Sequence, residues 1–84
     1  MKYIATYWLH RSIPGGDEME LLDPKEIQAE DDSAAIIKAR KIRNALEVMA
    51  NAEPNPHKVA REIILLSVRS EYNKIIIYLK GYAH

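Results

Sequence analysis

Two apolar runs in the second half of the chain limit its fold more than any other feature. Residues 59–68 contain Ile63-Ile64-Leu65-Leu66, and residues 74–79 contain Ile75-Ile76-Ile77, with few polar residues inside either run. Short apolar runs that are rich in β-branched residues predict strands covered on both faces. Residues 69–73 predict a hairpin turn between these strands, in which Asn73 tolerates a left-handed backbone.

The first of these runs allows a second interpretation. Asn55-Pro56 offers a helix cap followed by proline at the first helical position, so a helix over residues 56–68 is possible on local grounds. Its apolar stripe would be Val59, Ile63 and Leu66. The β-branched content and the neighbouring run favour the strand.

The first half of the chain begins with two predicted strands. Residues 2–11 are rich in β-forming side chains and precede the turn signal Pro14-Gly15-Gly16. Residues 18–22 and 25–30 alternate between polar and apolar side chains. They predict a second strand with a break at Pro24.

A helix is predicted over about residues 32–51. Asp31 or Asp32 can cap its start. The predicted inward stripe recurs at spacings of three and four: Ala35, Ala39, Ile42, Leu46 and Met49. Ile37 and Val48 lie on the opposite face of the helix, where they would suit contact with another protein.

The order β-β-α-β-β predicts an α+β fold with two layers, a four-stranded, mostly antiparallel sheet with one helix on one face. The length suits a single small domain over residues 1–84. Strict alternation divides the third strand between two faces: Ile64, Leu66 and Val68 on one, Ile63 and Leu65 on the other. Other residues must cover the face without the helix. The candidates are the loop at residues 52–58, a partner protein and a second copy of the chain. Homodimerisation is the leading structural hypothesis.

Composition excludes several classes of function. The chain has no Cys, which excludes disulfides, zinc fingers, iron–sulfur sites and cysteine nucleophiles and indicates a reducing compartment such as the cytosol. No apolar run reaches the roughly 20 residues of a membrane span, and the start lacks the apolar core of a secretory signal. The histidines His10, His57 and His84 lack metal-ligand spacing, and no serine lies in a nucleophile motif. We therefore expect a cytoplasmic protein with no metal, cofactor, catalytic residue or membrane partner.

The charges cancel overall but are unevenly distributed. Residues 17–32 hold eight acidic residues against one basic residue, Lys25, although the whole chain has 12 of each sign. A helix N-terminus favours negative charge, which is one explanation for the acids nearest the helix. The other explanation is a partner-binding surface formed by Asp17, Glu18, Glu20, Asp23, Glu30, Asp31 and Asp32.

Nucleic-acid binding is an alternative function. Aromatic side chains on strands, flanked by basic residues, can stack on the bases of single strands. The residues that would form such a surface are Tyr7, Trp8, Arg11, Arg40 and Arg43. Against this hypothesis, strand aromatics usually pack in the core, and a net charge of zero gives weak attraction to phosphates.

Residues 27–42 read Ile-Gln-Ala-Glu-Asp-Asp-Ser-Ala-Ala-Ile-Ile-Lys-Ala-Arg-Lys-Ile. This strand, ending in alanine and an acid and followed by a helix with alanines on its inner face, resembles a unit of small phage and mobile-element proteins of the anti-CRISPR type. The resemblance implies a non-enzymatic inhibitor of a large host protein or ribonucleoprotein complex, with an acidic surface that mimics phosphate. Residues 17–32 would then be the natural contact.

The sequence thus predicts a small protein-binding module, an inhibitor of a host defence complex of the CRISPR type. A small nucleic-acid-binding module and a homodimeric accessory protein are the alternatives.

Overall fold

One helix and five strands make up the described part of the chain. The structure is a computed structural model, which describes residues 1–54, 59–72 and 75–78. Its elements are β1 (Lys2–Ile13), β2 (Gly16–Leu21), β3 (Lys25–Gln28), α1 (Asp32–Ala52), β4 (Ala60–Ser70) and β5 (Ile75–Tyr78). The described strands pair antiparallel throughout. The predicted α+β class, with one helix and an antiparallel sheet, is confirmed.

β1 is the longest described strand, and other strands pair with both of its edges. β4 pairs along one edge, while β2 pairs with residues 8–13 and β3 with residues 2–5 of the other edge. The sheet order is β2-β1-β4-β5, with β3 beside β1. The predicted second strand is therefore two separate strands, and the sheet has five instead of four. Pro24 lies in the gap between them, where a residue without an N–H cannot continue the ladder.

A two-residue turn, Pro14-Gly15, joins β1 to β2. Ile13 pairs with Gly16 across it, so β1 continues past its predicted end at Arg11. Gly15 has a φ of 92°, and a positive φ directly after proline is typical of a type II turn. Glycine adopts this conformation without the steric cost of a β-carbon.

Residues 60–70 form a strand, as predicted. The competing helix over residues 56–68 is therefore wrong where the structure describes that range, and residues 55–58 lie outside the described residues. The turn after β4 begins at residues 71–72, and the predicted role of Asn73 also lies outside them.

The ladder between β1 and β4 contains one irregularity. Its register shifts by one after Thr6, and Leu66 is the extra residue. An inserted residue reverses the alternation of all residues beyond it. The face toward α1 therefore carries Ile63, Leu65 and Val68. The prediction that Val68 shares a face with Ile64 and Leu66 is wrong for this reason.

The core lies between α1 and the face of the sheet on which β1 places Tyr3, Ala5, Tyr7 and Leu9. Ala35 and Ala39 of α1 are fully buried against this face. Their small side chains leave room for two tyrosines to reach the helix. The Tyr7 hydroxyl donates to the carbonyl oxygen of Ala39 at 2.7 Å, and the Tyr3 hydroxyl donates to Asp32 Oδ1 at 2.9 Å.

α1 begins at Asp32 and has Asp31 as its N-cap, whose carboxylate accepts from the Ala34 N–H at 2.8 Å. The predicted extent of the helix is confirmed to within one residue at its end. Its inward residues are Ala35, Ala39, Ile42, Leu46 and Ala50. Met49 was predicted to close this stripe but is 66% exposed, because the inward position after Leu46 comes four residues later. Within the described ranges, no helix has the length and apolar content needed to cross a membrane.

Candidate functional site

The acidic residues within 17–32 do not form one surface. Six of the eight form two groups, which are Asp17, Glu18 and Glu20 on β2, and Glu30, Asp31 and Asp32 at the start of α1, while Asp23 lies between β2 and β3 and Glu26 lies on β3. Asp17 pairs with Ser12 at one end of β1, whereas Asp32 accepts from Tyr3 at the other end. These two β1 positions are about 30 Å apart at ~3.3 Å per strand residue. The two acidic groups are thus at opposite ends of the sheet.

The group at the start of α1 has roles within the fold. Asp31 caps the helix, and Asp32 accepts the Tyr3 hydrogen bond. Burial, followed by this hydrogen bond to Asp32, raises the pKa of Tyr3 to about 12. The helix N-terminus also favours negative charge here. Of the two sequence-based explanations, the structural one has direct contacts at this group.

The group on β2 is exposed and pairs with β1 side chains. Arg11 Nη2 lies 3.3 Å from Glu20 Oε2, and Arg11 Nη1 lies 4.0 Å from Glu18 Oε2. On the other face, Asp17 Oδ2 lies 3.4 Å from His10 Nε2. Arg11 is therefore shared by the carboxylates of Glu18 and Glu20, which leaves net negative charge on the α1 side of β2.

β2 is a sheet edge that is exposed on both faces. All six of its residues are exposed. In the described part of the chain, no strand pairs with the edge of β2 that faces away from β1, which we call the outer edge of β2. Asp23, also a predicted contact residue, lies exposed in the segment between β2 and β3. The backbone N–H and C=O groups along such an edge are available for pairing with another chain.

The face of the sheet away from α1, which we call the open face, carries a second group of candidates. The larger apolar residues among its described side chains are Ile4, Trp8, Met19, Leu21, Ile64 and Ile75. Met19, Leu21 and Ile75 are each at least 41% exposed. Ile64, on the same face, is only 4% exposed.

Trp8 lies at the middle of the open face, between Leu21 on β2 and Ile64 on β4. Its indole Nε1 is buried and has no hydrogen-bond partner. Buried polar groups are usually paired, so this indole N–H is an exception among the described side chains.

The residues predicted to bind nucleic acid do not share a surface. Tyr7 is fully buried, and burial raises its pKa to about 12. Trp8 lies on the open face, since consecutive strand residues point to opposite sides. Arg40 and Arg43 lie on α1, beyond the other face of the sheet, and Arg11 is on the same side as α1. Trp8 is therefore separated by the sheet from all three arginines.

Two arginines tie α1 to β4. Arg43 Nη1 donates to Glu47 Oε2 at 2.7 Å and to the Ile63 carbonyl oxygen at 2.9 Å. Arg61 Nη1 donates to the Ala50 carbonyl oxygen at 2.6 Å, near the C-terminal end of the helix. These guanidinium groups have structural partners, whereas Arg40 is exposed.

Other candidate features are weaker. A cleft of about 240 Å³ between α1 and the β2 end of the sheet has mostly apolar walls that include Leu9, Leu22, Leu46 and Met49. Ile37 and Val48 are exposed, as predicted, at 54% and 71%. No cluster of three potential metal ligands occurs within the described ranges, and His57 and His84 lie outside them.

Sequence reasoning identified the β2 acids and Trp8 but missed that they belong to adjoining surfaces. The available signal was the alternation of Asp17, Met19 and Leu21, which places all three on one side of a strand. Comparison with protein-family models, with curated proteins and with solved structures finds no match to this chain.

Proposed function

We propose that this protein is a non-enzymatic protein-binding module that adds an extended segment of a partner to the outer edge of β2. The observation that carries the proposal is the exposure of the whole of β2, with no described strand on its outer edge. In strand addition, main-chain hydrogen bonds provide affinity and alternate side chains provide specificity.

The side chains of β2 indicate which segment would fit. Glu18 and Glu20 lie on one face, and Asp17, Met19 and Leu21 lie on the other. A partner strand in register would place alternate residues beside each set. The best partner is therefore a segment in which Lys or Arg alternates with apolar residues, its basic side chains next to Glu18 and Glu20.

The same acids have a competing role as protection against aggregation. Charged side chains on an edge strand discourage pairing between identical edges. Like-charged acids would repel a second β2 but attract a basic segment, so the two roles are compatible. The two roles differ in whether a basic peptide binds to β2.

The test uses a labelled peptide in which Lys alternates with Ile and a second peptide in which Glu replaces Lys. The Lys peptide should bind and cause amide chemical-shift changes along β2. The double variant Glu18→Lys and Glu20→Lys should weaken this binding by at least about tenfold, because opposite charges become like charges. The matched control, Glu30→Lys with Glu71→Lys, makes the same change of charge at the end of the sheet away from β2 and should bind nearly as the parent does.

Equal loss of affinity in both double variants would show that only overall charge matters and would contradict the proposal. The same conclusion follows if the Glu peptide binds as well as the Lys peptide. That the partner belongs to a host defence complex stays a prediction of the sequence resemblance. Nucleic-acid binding is not proposed, because Tyr7 is buried and the sheet separates Trp8 from the arginines.

A further inference from the structure

We infer that the cleft between α1 and the β2 end of the sheet receives one aromatic side chain of the partner segment that binds to β2. This rests on the proposed function, because it adds one position of specificity to the segment on the outer edge of β2. The cleft itself is made by residues of this chain, so an isolated aromatic compound can test it without strand addition.

The cleft is an apolar recess with a buried floor. Leu9 of β1 and Ile63 of β4 are 8% and 2% exposed and face α1. Leu46 and Ala50 of α1, together with Leu22 directly after β2, add half-buried apolar walls. The space lies where α1, which packs against β4, β3 and β1, extends beside β2. An apolar group that entered it would contact surfaces already held in place by the core.

The volume of the cleft suits a single ring. It is about 240 Å³, whereas a closed apolar cavity of about 150 Å³ is large enough to bind benzene. Pockets for drug-sized ligands are larger, at about 300–1,000 Å³. The occupant is therefore one side chain of a larger partner and not a separate small molecule.

The charged residues that line the cleft favour an uncharged occupant. Arg11 Nη2 lies 3.3 Å from Glu20 Oε2. Arg61 Nη1 lies 3.9 Å from Glu53 Oε2 and donates to the Ala50 carbonyl oxygen at 2.6 Å. The two cations and the two anions thus already have partners. A charged occupant would lose water without gaining an unpaired counter-charge, which is costly.

Two side chains favour an aromatic ring over an aliphatic group. Met49 lies beside the cleft and is 66% exposed, outside the inward stripe of α1. Its thioether would make favourable contacts with an aromatic ring, and its unbranched chain can adjust to the ring that enters. Arg11 has a planar guanidinium that can stack on an aromatic face while it keeps its carboxylate partners.

The position of the cleft beside β2 determines which partner residue reaches it. Glu20 and Leu22 both line the cleft, and the Leu22 N–H donates to the Tyr7 carbonyl oxygen at 3.0 Å, so the pairing with β1 continues past the end of β2. A partner strand in register places a side chain beside Leu22 on the α1 side, two positions from the one beside Glu20. Aromatic side chains reach diagonal neighbours about 7–8 Å away. The preferred segment therefore has basic residues beside Glu18 and Glu20 and an aromatic residue beside Leu22.

Two peptides of identical composition test this position. In the first, Phe lies beside Leu22 and Ile is the adjacent residue, and in the second these two residues are exchanged. The first should bind the full chain at least about fivefold more tightly, because only its ring faces the cleft. Met49→Ser should remove this difference. Val48→Ser, which replaces an exposed residue on the outer side of α1, should keep it.

N-acetylphenylalanine amide tests the cleft without strand addition. At millimolar concentration it should shift the NMR signals of the Leu46 and Met49 methyl groups and leave those of Val48 unchanged. If these signals shift but neither peptide binds, strand addition is wrong and the aromatic site stands. Equal binding of the two peptides, or no shift of the Leu46 and Met49 signals, would overturn the inference and leave strand addition to its own test.

Discussion

At the scale of single residues, two tyrosines connect the sheet to the helix. Tyr3 and Tyr7 lie on the same face of β1 and reach past the small side chains of α1 to Asp32 and to the Ala39 carbonyl oxygen. Each hydroxyl is therefore held as a neutral donor in a buried position. Ionisation of either phenol therefore lowers the stability of the folded state.

We predict that the protein loses stability as the pH rises from about 10 to about 12. The unfolded tyrosines ionise near pH 10, whereas the folded Tyr3 and Tyr7 have a pKa of about 12. Across this interval the folded state keeps protons that the unfolded state has released, so rising pH favours unfolding. Below pH 10 the two protonated tyrosines contribute their full stabilisation to the folded state. Urea unfolding at a series of pH values measures this change in the free energy of unfolding.

Tyr7→Phe is the matching variant. It removes one buried hydrogen bond and should lower the free energy of unfolding near neutral pH by about 1 kcal/mol. It should also make the fall in stability above pH 10 shallower, since one of the two groups is gone. The control is Tyr72→Phe, which removes an exposed hydroxyl. A profile for Tyr7→Phe as steep as that of the parent would contradict the argument.

At the scale of elements, the bulge in β4 decides which apolar residues face α1. In a regular strand, two residues share a face only when they are an even number of positions apart. Ile63 and Val68 are an odd number apart, and the extra residue, Leu66, places them on the same face. The second face of β4 consequently receives Ile64 and Ser67. Core packing and the open face both depend on this single insertion.

Deleting Leu66 should leave a folded protein. Without it, β4 becomes a regular strand that still places Ile63, Leu65 and Val68 toward α1. The cost should be about 1–2 kcal/mol for the half-buried side chain that is lost. Deleting Thr6 from β1 is the matched control. It should prevent folding, because it turns the β1 core residues on one side of the deletion to the opposite face of the sheet. Circular dichroism and thermal unfolding would detect both results, and a folded Thr6 deletion would refute this account of the register.

At the scale of the whole molecule, packing is uneven. α1 packs against β4, β3 and β1, whereas β2 is exposed along its whole length. A cleft of about 240 Å³ opens between the C-terminal half of α1 and the β2 end of the sheet. The β2 end therefore has less buried apolar surface to stabilise it than the rest of the sheet.

Hydrogen exchange should show this difference directly. Amides of β2 that bond to β1 should exchange by local opening, about 10-fold or more faster than those linking β1 to β4, because opening β2 exposes little apolar surface. The measurement is hydrogen exchange followed by NMR. Protection of β2 equal to that of β4 would contradict the prediction. Slower exchange on adding the Lys peptide would locate that peptide at the outer edge.

Much of the fold was predictable from local pattern. Pro14-Gly15 marked the first turn, Asp31 marked the helix start, and the alanine spacing marked its inner face. The candidate site was predictable only in part. β2 and Trp8 were both identified, but the acids at the start of α1 could not be separated from those on β2. That separation depends on which end of β1 each group reaches.

The sequence by itself determined the elements, because turn geometry, helix capping and side-chain periodicity involve residues only a few positions apart. Only the tertiary structure decided which face each residue occupies. The pairing of β1 with β4 joins residues about sixty positions apart, such as Tyr7 and Leu65, and its register includes an insertion at Leu66 that no local pattern marks. That long-range pairing buries Tyr7, places Trp8 on the open face and leaves β2 as an exposed edge, because alternation along a strand follows from its register.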